Sequence, residues 1–123
     1  MHYLRWEQPT TMQAWNDAGL DYDSTLSYAD RPGFRCGTCF EYPAFNPISR
    51  QILSLNIRPL IAMECTVMAQ RYMGLGVGDA ALRKFTHLKE TCRVVGGCFT
   101  LLWHNSQFET KEERNMYEKI LEF

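Results

Sequence analysis

The chain lacks an excess of either charge: 13 Lys and Arg residues stand against 14 Asp and Glu, a formal net charge of -1. No Lys/Arg stripe runs along any segment, so the electrostatic footprint that grips a phosphate backbone is missing and nucleic acid is excluded as a partner. There is no uncharged apolar run of the ~20 residues that a bilayer crossing needs. MHYLRWEQP also lacks the basic segment followed by an apolar stretch that marks a secretory leader. The chain is therefore expected to be cytoplasmic, with no membrane partner. Five cysteines is an odd number, and among reduced thiols a disulfide framework is not expected. Histidine is scarce too: His2, His87 and His104 are the whole set, and no two lie four apart.

What is present suits one small α/β domain. At 123 residues the chain has apolar content for a single core, so residues 1–123 are taken as one unit. Three segments read as helices with identifiable ends. TTMQAWNDAG (10–19) has a Thr to cap its start and Gly19 as a left-handed stop. GDAALRKFTHLKETCRVVGG (78–97) has Asp79 as cap, and Leu82, Phe85, Leu88, Cys92 and Val95 recur at helical spacing before Gly96 and Gly97. The last helix opens on Thr110 and Glu113, a T-x-x-E capping box, with Met116, Tyr117, Ile120 and Leu121 on one face.

PLIAMECTV (59–67) and CFTLLWH (98–104) are apolar on both alternating faces, as a doubly covered parallel strand requires, and with the helix between them they form a βαβ unit. HYLRW (2–6) and LDYDST (20–25) are shorter strand candidates flanking the first helix. Residues 26–58 carry Pro32, Pro43 and Pro47 and little periodicity, and read as a long ordered loop with a short helix near 48–53.

In parallel α/β folds ligands sit beyond the carboxyl ends of the strands, where the loops converge. Those ends offer Arg5, Asp21, Asp23, Glu64, His104 and Asn105. An imidazole at such a rim suits proton transfer near neutral pH, although a His after an apolar strand also serves as a loop anchor. Glu64, in an otherwise apolar strand, must either face the rim or pair with an Arg, because an unpaired buried carboxylate is costly. Asp23 can instead cap the turn that follows it, and Arg5 can orient a carboxylate. Cys36 and Cys39 form a C-x-x-C without the second knuckle that a closed zinc site needs. Nor do they open a helix after a strand, as a redox pair does. The plainer reading is a tight irregular loop turned by Gly33 and Gly37 and packed down by Phe34, Phe40, Tyr42 and Phe45. Cys65, Cys92 and Cys98 read as small core residues.

HYLRWEQPTTMQAWNDAGLDYDSTLSYAD, GFRCGTCFEYPAFN, RPLIAMECT and FTLLWHNSQF, in that order, resemble the C-terminal half of NodB-type polysaccharide deacetylases, carbohydrate esterases with a distorted (β/α) barrel. The likeness is to their bacterial surface-polysaccharide branch. It implies a half barrel in which His104, in the L-x-H-like Leu102-Trp103-His104, is the general acid, Leu102 lines the acetyl pocket, Arg5 orients and Asp23 contributes an acid. Glu64, Trp103, Asn105, Phe34 and Tyr42 are the expected sugar contacts, and the substrate is an N-acetylated carbohydrate. The family's divalent ion, zinc or similar, is held by an Asp and an H-x-x-x-H pair, which this chain lacks. So no metal is assigned here, the chain alone is expected to be inactive, and a separate N-terminal half or self-association is expected to cover the exposed flank. The alternatives are a non-catalytic carbohydrate-binding or assembly module, and a C-x-x-C zinc or redox protein.

Overall fold

The computed structural model describes residues 4–122. The described elements are α1 (Thr10–Asp17), β1 (Tyr22–Asp23), β2 (Tyr42–Asn46), β3 (Gln51–Ile57), β4 (Ala62–Met63), α2 (Glu64–Met68), α3 (Asp79–Val94), β5 (Leu101–Leu102) and α4 (Lys111–Leu121), with a 3₁₀ turn at Asn105–Gln107. They build two sheets: a three-stranded sheet in the order β1-β3-β2, and a two-stranded sheet of β4 and β5.

The half barrel is not what forms. β3 pairs antiparallel with β2 and parallel with β1, so the larger sheet is mixed. β4 and β5 are parallel to each other, and the two sheets do not join into a barrel among the described residues. The βαβ unit of β4, α3 and β5 is present, but its strands are two residues long where nine and seven were expected. Self-association argued from the open edges of a half barrel loses its basis.

The hairpin of β2 and β3 lies inside the stretch read as a loop, and the expected helix at 48–53 is a turn followed by strand. Two features make it so. Leu53, Leu55 and Ile57 alternate inward, the period of a half-buried strand. The Asn46 Oδ1 accepts from the backbone N–H groups of Ile48 and Ser49 at 2.9 and 3.2 Å, an Asx turn that reverses the chain. Pro43 is tolerated because β2 is an edge strand.

Each sheet has its own core. Met12 of α1 packs with Ala44, Leu53, Leu55 and Ile57 on one face of the three-stranded sheet, with Trp6 and Trp15 at the margin. Asn16 fastens the helix to that sheet, its Oδ1 accepting from the Ser54 N–H and hydroxyl, both at 2.8 Å. The second core gathers Ile61, Ala62, Val67, Phe85, Leu88, Cys92, Met116 and Ile120 around α3 and α4. The expected stripe on α3 is buried at Phe85, Leu88 and Cys92 and half-buried at Leu82, whereas Val95 is 55% exposed beyond the helix end.

The helix ends separate into those the side chains fix and those they do not. Thr110 and Glu113 exchange both hydrogen bonds of the capping box. Asp79 is the first helical residue rather than the cap, which is Gly78, and α1 starts after Pro9 with no side-chain cap. The Thr11 hydroxyl instead accepts from the Glu7 N–H at 3.1 Å. Gly19 and Gly96 have φ of 73° and 72°, the left-handed stops that glycine permits. The strand expected at 2–6 falls partly outside the described residues, and Leu4, Arg5 and Trp6 are not in strand. No described helix is long and apolar enough to cross a membrane.

Candidate functional site

Parallel pairing brings the carboxyl ends of β4 and β5 side by side, with Met63 in register with Leu102. Glu64 follows β4 at once and His104 comes two residues after Leu102, so the chain leaves both strands on the same side of the sheet. The two side chains meet there, His104 Nδ1 lying 2.5 Å from Glu64 Oε1. A carboxylate that accepts from the Nδ1–H leaves Nε2 as the ring's proton-transfer atom.

Glu64 does not pair with an Arg and does not lie within a strand. It opens α2, where a negative charge is favoured near the free N–H groups of the first turn. Its side chain is 1% exposed, against 43% for His104. The imidazole therefore joins a buried carboxylate on one side to solvent on the other.

A cleft of about 620 Å³ opens over this pair. β1 adds to its wall from the other sheet through Ser24, which directly follows Asp23. Arg71 and Tyr72 enter from the turn after α2, and Ser106 and Gln107 from the 3₁₀ turn after His104. Arg71 lies over the Tyr72 ring, 5.0 Å from its centroid, with its charge close to the Cys65 thiol. Burial pushes that thiol up from its ordinary value, the Glu64 charge pushes the same way, and Arg71 opposes them.

Of the residues expected at the site, Glu64, Leu102 and His104 line the cleft. Asp23 is buried beneath it and serves its own turn, accepting from the Thr25 hydroxyl at 2.5 Å and the Thr25 N–H at 3.2 Å. Arg5 is exposed and is not part of the lining, although its neighbour Leu4 is. Trp103 turns into the second core between Phe85, Phe108 and Tyr117, its indole N–H donating to the Gln107 carbonyl at 2.9 Å. Asn105 is exposed, off the lining. Phe34 packs on the second core and Tyr42 on the first, neither of them at the cleft.

Cys65, Ser24, Arg71 and Tyr72 are among the lining residues that sequence reasoning missed. Extending the strand to Val67 hid Cys65, Arg71 and Tyr72, because it displaced the rim by four residues, and Ser24 was hidden by reading 20–25 as strand throughout. All five cysteines are free. Cys92 is buried as expected of a small core residue, but Cys65 is half-buried in the cleft wall and Cys98 is exposed, while Cys39 of the C-x-x-C loop is buried in the second core.

Glu64, Cys65 and His104 place one donor atom each within 4.8 Å of one another. They do not fit the ion that the deacetylase resemblance implies. Two donors on one tetrahedral ion at about 2.1 Å stand roughly 3.4 Å apart, whereas Oε1 and Nδ1 are at hydrogen-bond separation, 2.5 Å. The set also lacks the second imidazole, and its thiol is held toward the protonated form. Compared with protein families, curated proteins and solved structures, the chain matches none.

Proposed function

We propose that the Glu64–His104 pair is the proton-donating part of a hydrolytic site acting on N-acylated carbohydrate. The observation that supports this reading most is the buried carboxylate held 2.5 Å from Nδ1 of an imidazole that reaches an open cleft. A carboxylate in that position fixes the ring's orientation and offsets the positive charge of the doubly protonated ring. When water adds to the acyl carbon and the C–N bond breaks, the bond's electron pair goes to nitrogen. His104 supplies the proton from Nε2 to that nitrogen, releasing an amine. Leu102, on the same wall, offers the apolar contact that a small acyl group needs.

The reading gives this chain the acid step alone. An acid without an activated nucleophile leaves most of the barrier to amide hydrolysis in place, so activation of the water is assigned to another segment of polypeptide.

The test is acetyl transfer from N-acetylglucosamine oligomers, followed as acetate release by the chain alone and as acetohydroxamate when hydroxylamine supplies the nucleophile. We expect no acetate from the chain alone, acetohydroxamate with hydroxylamine, and a loss of 100-fold or so of that transfer with His104→Ala, the scale of a general-acid contribution of about 10²–10⁴. Glu64→Gln keeps a hydrogen-bond acceptor but removes the charge, and is expected to fall between the two. Equal rates with and without the His104 imidazole overturn the assignment.

A further inference from the structure

The cleft holds more polar chemistry than the acid step uses. Arg71 is the only Lys or Arg side chain in its lining. It is exposed and makes no ion pair with a carboxylate among the described residues, whose side-chain pairs are Arg58–Glu41, Arg93–Glu90 and His104–Glu64. It is nevertheless positioned, between the face of Tyr72 and the thiol of Cys65. A guanidinium held in place at a cleft and left without a counter-charge is arranged for an anionic group, which it can grip through two parallel N–H donors.

Two buried polar atoms of the lining residues lack hydrogen-bond partners. Glu64 Oε2 and Ser24 Oγ are both closed off from solvent with no partner among the described residues, and both residues line this cleft. A buried polar atom without a partner costs about 1–3 kcal/mol, and turning either side chain into the cleft, where a ligand hydroxyl can meet it, removes that cost. The ligand chemistry is thus one anionic group beside several hydroxyls.

We infer that the cleft binds a hexuronate-type sugar residue, its carboxylate on Arg71 and its ring hydroxyls toward Ser24 and Glu64. This rests on the carbohydrate reading above and narrows it to acidic sugars. One guanidinium matches the single charge of a carboxylate. A phosphate dianion places a second charge, unmatched, near the Glu64 carboxylate. The volume of about 620 Å³ admits a sugar ring with room for its neighbour.

The experiment is saturation-transfer NMR and calorimetric titration of the whole chain with glucuronate, glucose and glucose 6-phosphate at low salt. We expect glucuronate to bind tightest, by about tenfold over glucose, the scale of one charge-assisted pair. Arg71→Ala should abolish the preference and Arg71→Lys should keep part of it, with circular dichroism unchanged because the side chain is exposed. His104→Ala should leave the preference intact, which separates this claim from the acid role. Acetyl transfer to hydroxylamine that is absent, or unchanged by His104→Ala, with the glucuronate preference kept therefore tells against the acid role alone. Equal binding of glucose and glucuronate, tighter binding of the phosphate, a preference surviving Arg71→Ala, or no binding of any of the three overturns the inference.

Discussion

At the scale of single residues, the Glu64–His104 pair sets a stability signature that does not depend on any substrate. Glu64 is 1% exposed and, among the described residues, its one hydrogen-bond partner is the His104 ring, since Oε2 has none. Removing the imidazole leaves the carboxylate without a partner on either oxygen. His104→Ala is therefore expected to lower unfolding free energy by about 1–3 kcal/mol, the cost of stranding a buried polar group. Glu64→Leu in the same background should recover part of the loss, because no buried charge then remains. Urea titrations of the two single variants and the double variant measure the coupling, and strict additivity sinks the pairing. Cys92 makes a second residue-scale prediction. Burial pushes its thiol up to about 12 from an ordinary 9.0, with Cys39 hydrogen-bonded to it. The fold thus favours the protonated thiol, and the unfolded chain loses that proton first as pH rises. The stabilisation is complete below pH 9 and is lost progressively toward pH 12. Melting temperature followed from pH 8 upward should fall, and Cys92→Ala should flatten the alkaline part of that fall. His104 itself was legible from the rim rule because two short strands end beside each other. Its partner was not, because a carboxylate beside an apolar run carries no mark of whether it meets an Arg or a His.

Elements show where sequence patterns decide structure and where tertiary packing does. α4 begins where Thr110 and Glu113 place it, because both halves of the capping box are local and need nothing from the rest of the fold. Thr110→Ala should cost about 1 kcal/mol, seen as a lowered urea midpoint with an unchanged slope. No change in the midpoint would mean the helix is held by Met116 and Ile120 alone. α3 was legible for the same reason, a stripe at helical spacing ended by Gly96. The β2–β3 hairpin was not. Two prolines and an Asn obscure it, and only the alternation of Leu53, Leu55 and Ile57 signals strand. The strand expected over 59–67 failed at Glu64 for a related reason. Its apolar residues suit either a buried strand or a buried helix, and burial on all sides erases the period that distinguishes them. That error also hid Cys65, Arg71 and Tyr72, half of the chemistry at the cleft.

Over the whole molecule, the order of elements was readable while closure into a barrel was not, since closure depends on which strand edges meet across the fold. The two sheets remain separate, yet several backbone bonds bind their surroundings together. The Gly33 N–H donates to the Ile61 carbonyl at 2.8 Å, the Leu60 N–H to Leu26 at 3.2 Å and the Cys98 N–H to Cys39 at 3.0 Å. The cleft itself draws on both sheets, Ser24 following β1 and Glu64 following β4. Each core alone belongs to a unit of a size that is only marginally stable. The molecule is therefore expected to unfold in one cooperative step rather than sheet by sheet. The tryptophans divide along the same boundary, Trp6 and Trp15 beside the first core and Trp103 beside the second. Trp103→Phe leaves fluorescence reporting on the three-stranded sheet, and the Trp6→Phe, Trp15→Phe double variant leaves it reporting on β4, β5 and their helices. After each variant's stability is normalised by circular dichroism, the fluorescence midpoint should coincide with the dichroism midpoint in both. A fluorescence transition displaced from the dichroism transition in either variant shows the two cores opening independently. The cleft then lies at a hinge between two bodies instead of within one.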